Sequence, residues 1–313
     1  APESKRSGPC CAAPAKYLIT MASPVLAAVH PGTVDLAPVR FAARVAAHAG
    51  APLMIASVFA SDEVVERLAG GQFGEELPRV ASRALVRAAE AVRGGTLASI
   101  DTVALGASSA PRGLAFAALE TGAAMVVVGS PAGGSSGRTA VGSTAARLLD
   151  GAPSAVAVVP AGEQDGGDWT TVGAGFVASV EGRAATKAAH VLAGRAGARL
   201  RLLAAVQSRA WMDGAGDEVT ADLRARAEEA AGAGLASLLG TAVDVDVQAG
   251  EPADVLLAAS ADDLDLLVCG ARGYGPERAA LLGGVTRQVT AGAACPVIVL
   301  ARGPGVTLES LVD

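Results

Sequence analysis

VVVGSPAGGSSGRTAVGST (Val126–Thr144) and LLVCGARGYGPERAALLGGVT (Leu266–Thr286) are two passages of one chain built to the same plan. Each opens on a short apolar run of strand length, breaks at a glycine, crosses a glycine-rich segment and ends on a glycine where a helix can start. In a doubly wound α/β sheet that order forms the ligand corner, where backbone N–H groups and the positive end of a helix face an anion. Gly129 matches Gly270 at an offset of 141 residues, and the pairs Gly142/Gly283 and Gly151/Gly292 keep the same offset.

The self-similarity extends upstream. RFAARVAAHAGAPLMIASV (Arg40–Val58) lies over KAAHVLAGRAGARLRLLAAV (Lys187–Val206), with Ala-Gly-Ala at 49–51 and again at 196–198, an offset of 147. The first copy therefore carries six more residues between the two anchors, which we assign to a longer second helix and its flanking loops. Strands are expected at Val25–His30, Leu53–Phe59, Ile100–Leu105, Met125–Val128 and Ala155–Val159. In the second copy they are expected at Thr171–Phe176, Leu200–Val206, Val243–Val247, Leu264–Cys269 and Pro296–Leu300. Ala-rich stretches of helical length lie between them, among them Ala37–Ala49, Leu77–Arg93, Asp217–Leu239 and Ala253–Ala261. Short apolar strands alternating with such helices specify parallel sheets covered on both faces. The fold class is α/β: two tandem doubly wound domains, each a five-stranded parallel sheet with helices on both faces. Residues 24–161 and 169–301 form the domains, the polar Gly162–Asp168 (GEQDGGD) the linker, and 1–23 and 302–313 the tails.

Composition agrees with two domains. The chain has 313 residues, 51% of them hydrophobic but only 3% aromatic, so its cores must be built from Val, Leu and Ala. No apolar run approaches the roughly 18 residues of a membrane span. The first residues, APESKRSGPCCAAPAKY, lack the apolar centre of a signal peptide, so the expectation is a cytoplasmic protein without membrane contact. Net charge −6 argues against a nucleic-acid footprint. The four cysteines have no zinc-ligand spacing, so no metal is expected. Cys269 and Cys295 read as buried apolar thiols, and Cys10 and Cys11 as tail thiols.

The glycine spacing resembles the universal stress protein family, whose fourth strand ends in G-x2-G-x9-G-[S/T]. The second copy has Gly270, Gly273 and Gly283 in that spacing, followed by Gly284 instead of Ser or Thr. The first has Gly129, Ala132 in place of the second glycine, then Gly142 and Ser143. The final-strand segments APSAVAVVP and ACPVIVLARG also resemble the family, and the resemblance covers about 24–160 and 170–301. It implies an ATP-type adenine nucleotide, with Val58 and Val206 facing the base, and Arg272 lies inside the second loop. The family's nucleoside-contacting Asp is absent from both copies: VLAAVHPG places His30 there, and VGAGFVAS places Val177. The resemblance therefore implies a weak or degenerate ligand site, leaning to the second copy for phosphates. It further implies that Val156–Val159 and Val297–Leu300 pair antiparallel across a pseudo-twofold axis. Cys269 and Cys295 then sit on parallel neighbours, five residues and about 16 Å apart, too far for a disulfide. Two tandem chains are expected to dimerise, and a protein partner fits a regulatory role.

Three rival motifs carry less. Gly133-Gly134-Ser135-Ser136-Gly137 matches G-x-S-x-G, but a nucleophile elbow follows its strand directly and this strand stops near Gly129. Gly133–Thr139 lacks phosphate-loop spacing and has Arg138 where Lys belongs. Gly173-x-Gly175-x-x-Ala178 puts its glycines inside a strand, which reads as close packing. The expected function is non-catalytic: a stress-response regulator with residual nucleotide binding. The alternatives are a slow ATPase, a hydrolase using Ser135, and an interaction module without ligand.

Overall fold

The computed structural model describes residues 23–32, 35–61, 73–131, 137–151, 153–162, 167–206, 217–240, 245–271 and 282–300. The first copy contains β1 (Val25–Ala28), α1 (Ala37–Ala49), β2 (Leu53–Ala60), α2 (Phe73–Ala91), β3 (Ile100–Ala107), α3 (Ala110–Thr121), β4 (Met125–Gly129), α4 (Ser143–Gly151) and β5 (Ala155–Val159). The second contains β6 (Thr171–Gly175), α5 (Val180–Ala196), β7 (Arg199–Val206), α6 (Asp217–Leu239), β8 (Val245–Ala249), α7 (Pro252–Asp262), β9 (Leu266–Gly270), α8 (Gly284–Thr290) and β10 (Val297–Leu300).

The strands make one ten-stranded sheet in the order β3-β2-β1-β4-β5-β10-β9-β6-β7-β8. Within each half all pairs are parallel. At the centre β5 and β10 run antiparallel, Val297 opposite Val158 and Val299 opposite Val156, as the resemblance implied. Cys269 stands opposite Val299, so Cys295 is four residues back along the neighbouring strand, about 13 Å away. Both thiols are buried and neither is in a disulfide. Burial pushes the Cys269 thiol up to about 12, partly offset by a hydrogen bond from the Gly175 amide.

The repeated Ala-Gly-Ala has a conformational cause. Gly50 and Gly197 end α1 and α5 in the left-handed conformation, at φ 64° and 66°, and their amides close onto the last helical turn. The glycines of β6 are packing glycines: a Cβ on Gly173 would meet Leu264, and one on Gly175 would lie 3.2 Å from Leu256. The six additional residues of the first copy do not lengthen its second helix, because α2 has 19 residues and α6 has 23. Among the described elements β3 is longer than its counterpart, with eight residues against five in β8.

One face of the sheet carries a core continuous across both copies, from Phe41 and Leu53 through Ile298 to Leu192 and Leu202; the other face carries two separate clusters. Trp169, at the end of the linker, is buried in the shared core. Its ring lies 5.9 Å from that of Phe41 and 5.0 Å from that of His48, with the Arg44 guanidinium 5.8 Å from its centroid. Arg195 of α5 donates at 2.6 Å to the carbonyl of Ala49 at the end of α1. Asp265 accepts hydrogen bonds from the amides of Thr170 and Thr171 and from the Thr170 hydroxyl. Burial alone would raise its pKa, but those bonds and the field of Arg44 outweigh it and hold the carboxyl below its usual range.

Candidate functional site

In each half the strand order reverses direction at the first strand, between β1 and β4 and between β6 and β9. The crevice outside their carboxyl ends is where an open α/β sheet takes a ligand. Those sequence-selected residues that the structure describes lie at these two corners, which are built differently.

At the first corner, Gly129 closes β4 against the start of α1: a Cβ there would lie 2.7 Å from the Pro38 ring. The leading glycine thus serves helix packing. The Ser130 amide and hydroxyl both donate to the Val159 carbonyl, and the hydroxyl accepts from the Ala140 amide, which fixes both ends of the loop. Pro131 has no N–H to offer. Gly142 accepts from the Ala146 amide and caps α4, so the first-turn amides, beginning with that of exposed Ser143, lack intrahelical partners. Among the described residues a Cβ on Gly142 would meet the Pro131 ring alone, at 3.6 Å, leaving ordinary room. His30 is exposed beyond β1 and its Nδ1 accepts from the Gly32 amide at 3.1 Å, which in the neutral ring puts the proton on Nε2. Val58 lies half-buried near the end of β2, packed so closely by α3 that a Cβ on Gly113 would be 2.8 Å from it.

The second corner is tighter. A Cβ on Gly270 would fall 2.8–2.9 Å from the backbone and Cβ of Glu181, in the first turn of α5. The Gly283 amide donates to the Ala271 carbonyl, and the buried Thr286 hydroxyl to that of Gly270, so these groups close the corner on itself. Gly284 opens α8, and no described residue lies within 4 Å of a Cβ built on it. Beyond β6 the chain folds onto α5: the Val177 carbonyl accepts from Ser179, and a Cβ on Gly182 would overlap that carbonyl oxygen. Val206 ends β7 half-buried. Arg272, Gly273, Ala132 and Ser135 lie outside the described residues.

Arg138, read from sequence as a loop arginine, donates at 2.9 Å to the Gly292 carbonyl in the other copy. Thr139 beside it is buried, its amide bonded to the Ala293 carbonyl and its hydroxyl within 3.3 Å of the Val289 and Ala293 carbonyls. The end of the first glycine loop is thus seated on the C-terminal end of α8. Nothing local in the sequence marks these contacts, whose partners are about 150 residues away.

A family model for universal stress proteins matches residues 21–160 and 172–301. The chain belongs to the universal stress protein family. Two solved structures share its fold over most of the chain. A universal stress protein from Pseudomonas aeruginosa UCBPP-PA14 is 18% identical, with a TM-score of 0.65 over 93% of this chain and 96% of that one. One from Archaeoglobus fulgidus DSM 4304 is also 18% identical, with a TM-score of 0.63 over 90% and 99%. A universal stress protein solved in complex with cAMP, 23% identical, covers 43% of this chain and 98% of its own, with a TM-score of 0.30. No curated protein matches the chain. Among its described residues this universal stress protein gathers no three His, Cys, Asp or Glu side chains suited to a metal ion. No described helix is long and apolar enough to cross a membrane.

Proposed function

We propose that the chain is a non-catalytic stress-response regulator that holds an adenine nucleotide weakly, and in its first copy. Some members of the family bind nucleotides, one having been solved in complex with cAMP. The observation that carries the assignment is the open start of α4, where Gly142 leaves room and Ser143 presents its hydroxyl beside first-turn amides. Ser143 and those amides would hold phosphate, and the Nε2–H of His30 a ribose hydroxyl. This shifts the balance from the second copy, favoured by glycine count, to the first. In the second, the Gly283 amide is already bonded and Glu181 brings a carboxylate to the α5 turn that packs on Gly270.

Weakness follows from the missing nucleoside carboxylate, since one lost hydrogen bond costs about 0.5–1.5 kcal/mol. The non-catalytic reading is supported by Asp35, the carboxylate that follows β1: its oxygens accept from the amides of Ala37 and Gly162, a capping duty.

The test is calorimetric titration with ATP, AMP and cAMP of the parent and of Gly142→Val and Gly283→Val. Weak binding lost in Gly142→Val and kept in Gly283→Val is expected. Tight binding unaffected by either change would overturn the assignment, as would hydrolysis of ATP by the purified chain.

A further inference from the structure

The ten-stranded sheet ends in two different edges. At β8 the edge is five residues long and polar: Asp246 is paired with Arg201 at 2.7 Å and accepts from the Gln248 side chain. Such charged, satisfied side chains blunt an edge. At β3 the edge is eight residues long, IDTVALGA, with Asp101 as its sole charge. The Leu53 amide donates to the Ser99 carbonyl and the Ser61 amide to that of Ala107, so odd-numbered residues turn their backbone groups toward β2. Ile100, Thr102, Ala104 and Gly106 then turn theirs outward, because successive residues of a strand face opposite edges.

Beside that edge lies a cleft of about 670 Å³ between β3 and α2. The side chains of Ile100, Thr102 and Ala104 form its floor, with Val86 and Leu97 as apolar walls and Arg93 at its rim. Val86 is 57% exposed. A second hollow of about 530 Å³ shares Ser82 and Val86 and adds Arg83, Arg87 and Pro31. From Arg79 to Ser99 the sequence has four arginines and one carboxylate, Glu90, in a chain whose net charge is −6.

We infer that the outer edge of β3, with the cleft beside it, docks an extended acidic peptide segment of a partner protein. The segment adds as an eleventh strand, with its main chain bonded to the outward groups of Thr102, Ala104 and Gly106. Alternate side chains then enter the cleft, where apolar ones meet Val86 and Leu97 and carboxylates meet Arg93 at the rim. A second copy of the chain fits less well. Twofold antiparallel pairing of β3 would set two α2 helices side by side on one face, arginines against arginines, and like charges across an interface are repelled.

The experiment uses the full chain and a fluorescein-labelled octapeptide, Glu-Ser-Val-Ser-Glu-Ser-Val-Ser, which sets Glu and Val on one face of the added strand, with the Lys-for-Glu octapeptide as control, read by anisotropy at low salt. The acidic peptide is expected to bind and the basic one not. Thr102→Pro removes an outward N–H at an edge position that tolerates proline, and Arg93→Glu reverses the rim charge; each should weaken binding roughly tenfold or more. In the parent, hydrogen exchange at Thr102, Ala104 and Gly106 should slow when peptide is added. This readout and Arg93→Glu carry the test if Thr102→Pro does not fold. No binding of the acidic peptide, equal binding of both peptides, indifference to folded Thr102→Pro, or unchanged exchange each overturns the inference. Self-association abolished by Thr102→Pro, without peptide binding, overturns it in favour of a second copy.

Discussion

Gly182→Ala should destabilise this protein although helix propensity alone favours it. Gly182 is the third residue of α5, after the N-cap Ser179, where alanine ordinarily gains about 1 kcal/mol over glycine. Here the added Cβ would overlap the Val177 carbonyl oxygen and lie 3.0 Å from the carbon and nitrogen of the same residue. Both sides of the contact are backbone, so no rotamer change relieves it. Relief moves both the turn that follows β6 and the first turn of α5. Moving the second breaks the cap, in which the Ser179 hydroxyl accepts from the Gly182 amide at 3.0 Å. Overpacking costs about 1–3 kcal/mol and a lost cap about 1 kcal/mol, against the propensity gain of about 1 kcal/mol. The net is about 1–3 kcal/mol, a fall in Tm of roughly 2–8 °C for a chain of this size. Gly194→Ala in the same helix is the control. No described residue lies within 4 Å of a Cβ built there, so the substitution should raise Tm. Thermal unfolding followed by far-UV circular dichroism measures both variants. If Gly182→Ala raises Tm as Gly194→Ala does, the closed turn at Val177 is wrong.

Cys269, with its thiol pushed up to about 12, should resist alkylation by iodoacetamide at pH 8 in the folded chain and react once the chain is unfolded, as mass spectrometry of tryptic peptides will show. Asp265 has a depressed folded pKa, so its stabilisation is complete above the unfolded value near 3.8 and is lost as pH falls through the lower folded value. Asp265→Asn should therefore lower the urea midpoint at pH 7, and its gap from the parent should close under acid. Trp169→Ala removes the buried ring packed on Phe41 and His48 and should cost about 3–5 kcal/mol in a denaturant titration.

The repeat made most of the architecture legible. Helix α1 coincides with the expected Ala37–Ala49, because Pro38 at its start and Gly50 after its end are both local signals. The antiparallel β5–β10 pair followed from the family resemblance, since nothing in four valine-rich residues specifies a partner strand by itself. Strand ends drifted where side chains decide them. Strand β1 stops at Ala28 because His30 binds the Gly32 amide in a turn, and β9 begins at Leu266 because Asp265 caps the amides of Thr170 and Thr171. The site was half legible. Glycine spacing located both corners, but Gly129 and Gly270 serve helix approach, which a motif cannot distinguish from ligand approach. Gly182 looks like any glycine in a helical stretch, and Arg138 carries no mark of a carbonyl 154 residues away.

Joining β5 and β10 in one polypeptide has a consequence for inheritance. In an assembly of identical chains every substitution is made twice, so a change that spoils one corner spoils its mate. Here the two corners have separate codons: Ser143 stands where the other copy has Gly284, and Pro38 packs on Gly129 where Glu181 packs on Gly270. One half can change at its corner and specialise while the other stays as it was. Their adjacency does not depend on expression level either, because a tether holds the two at a fixed effective concentration however dilute the protein becomes.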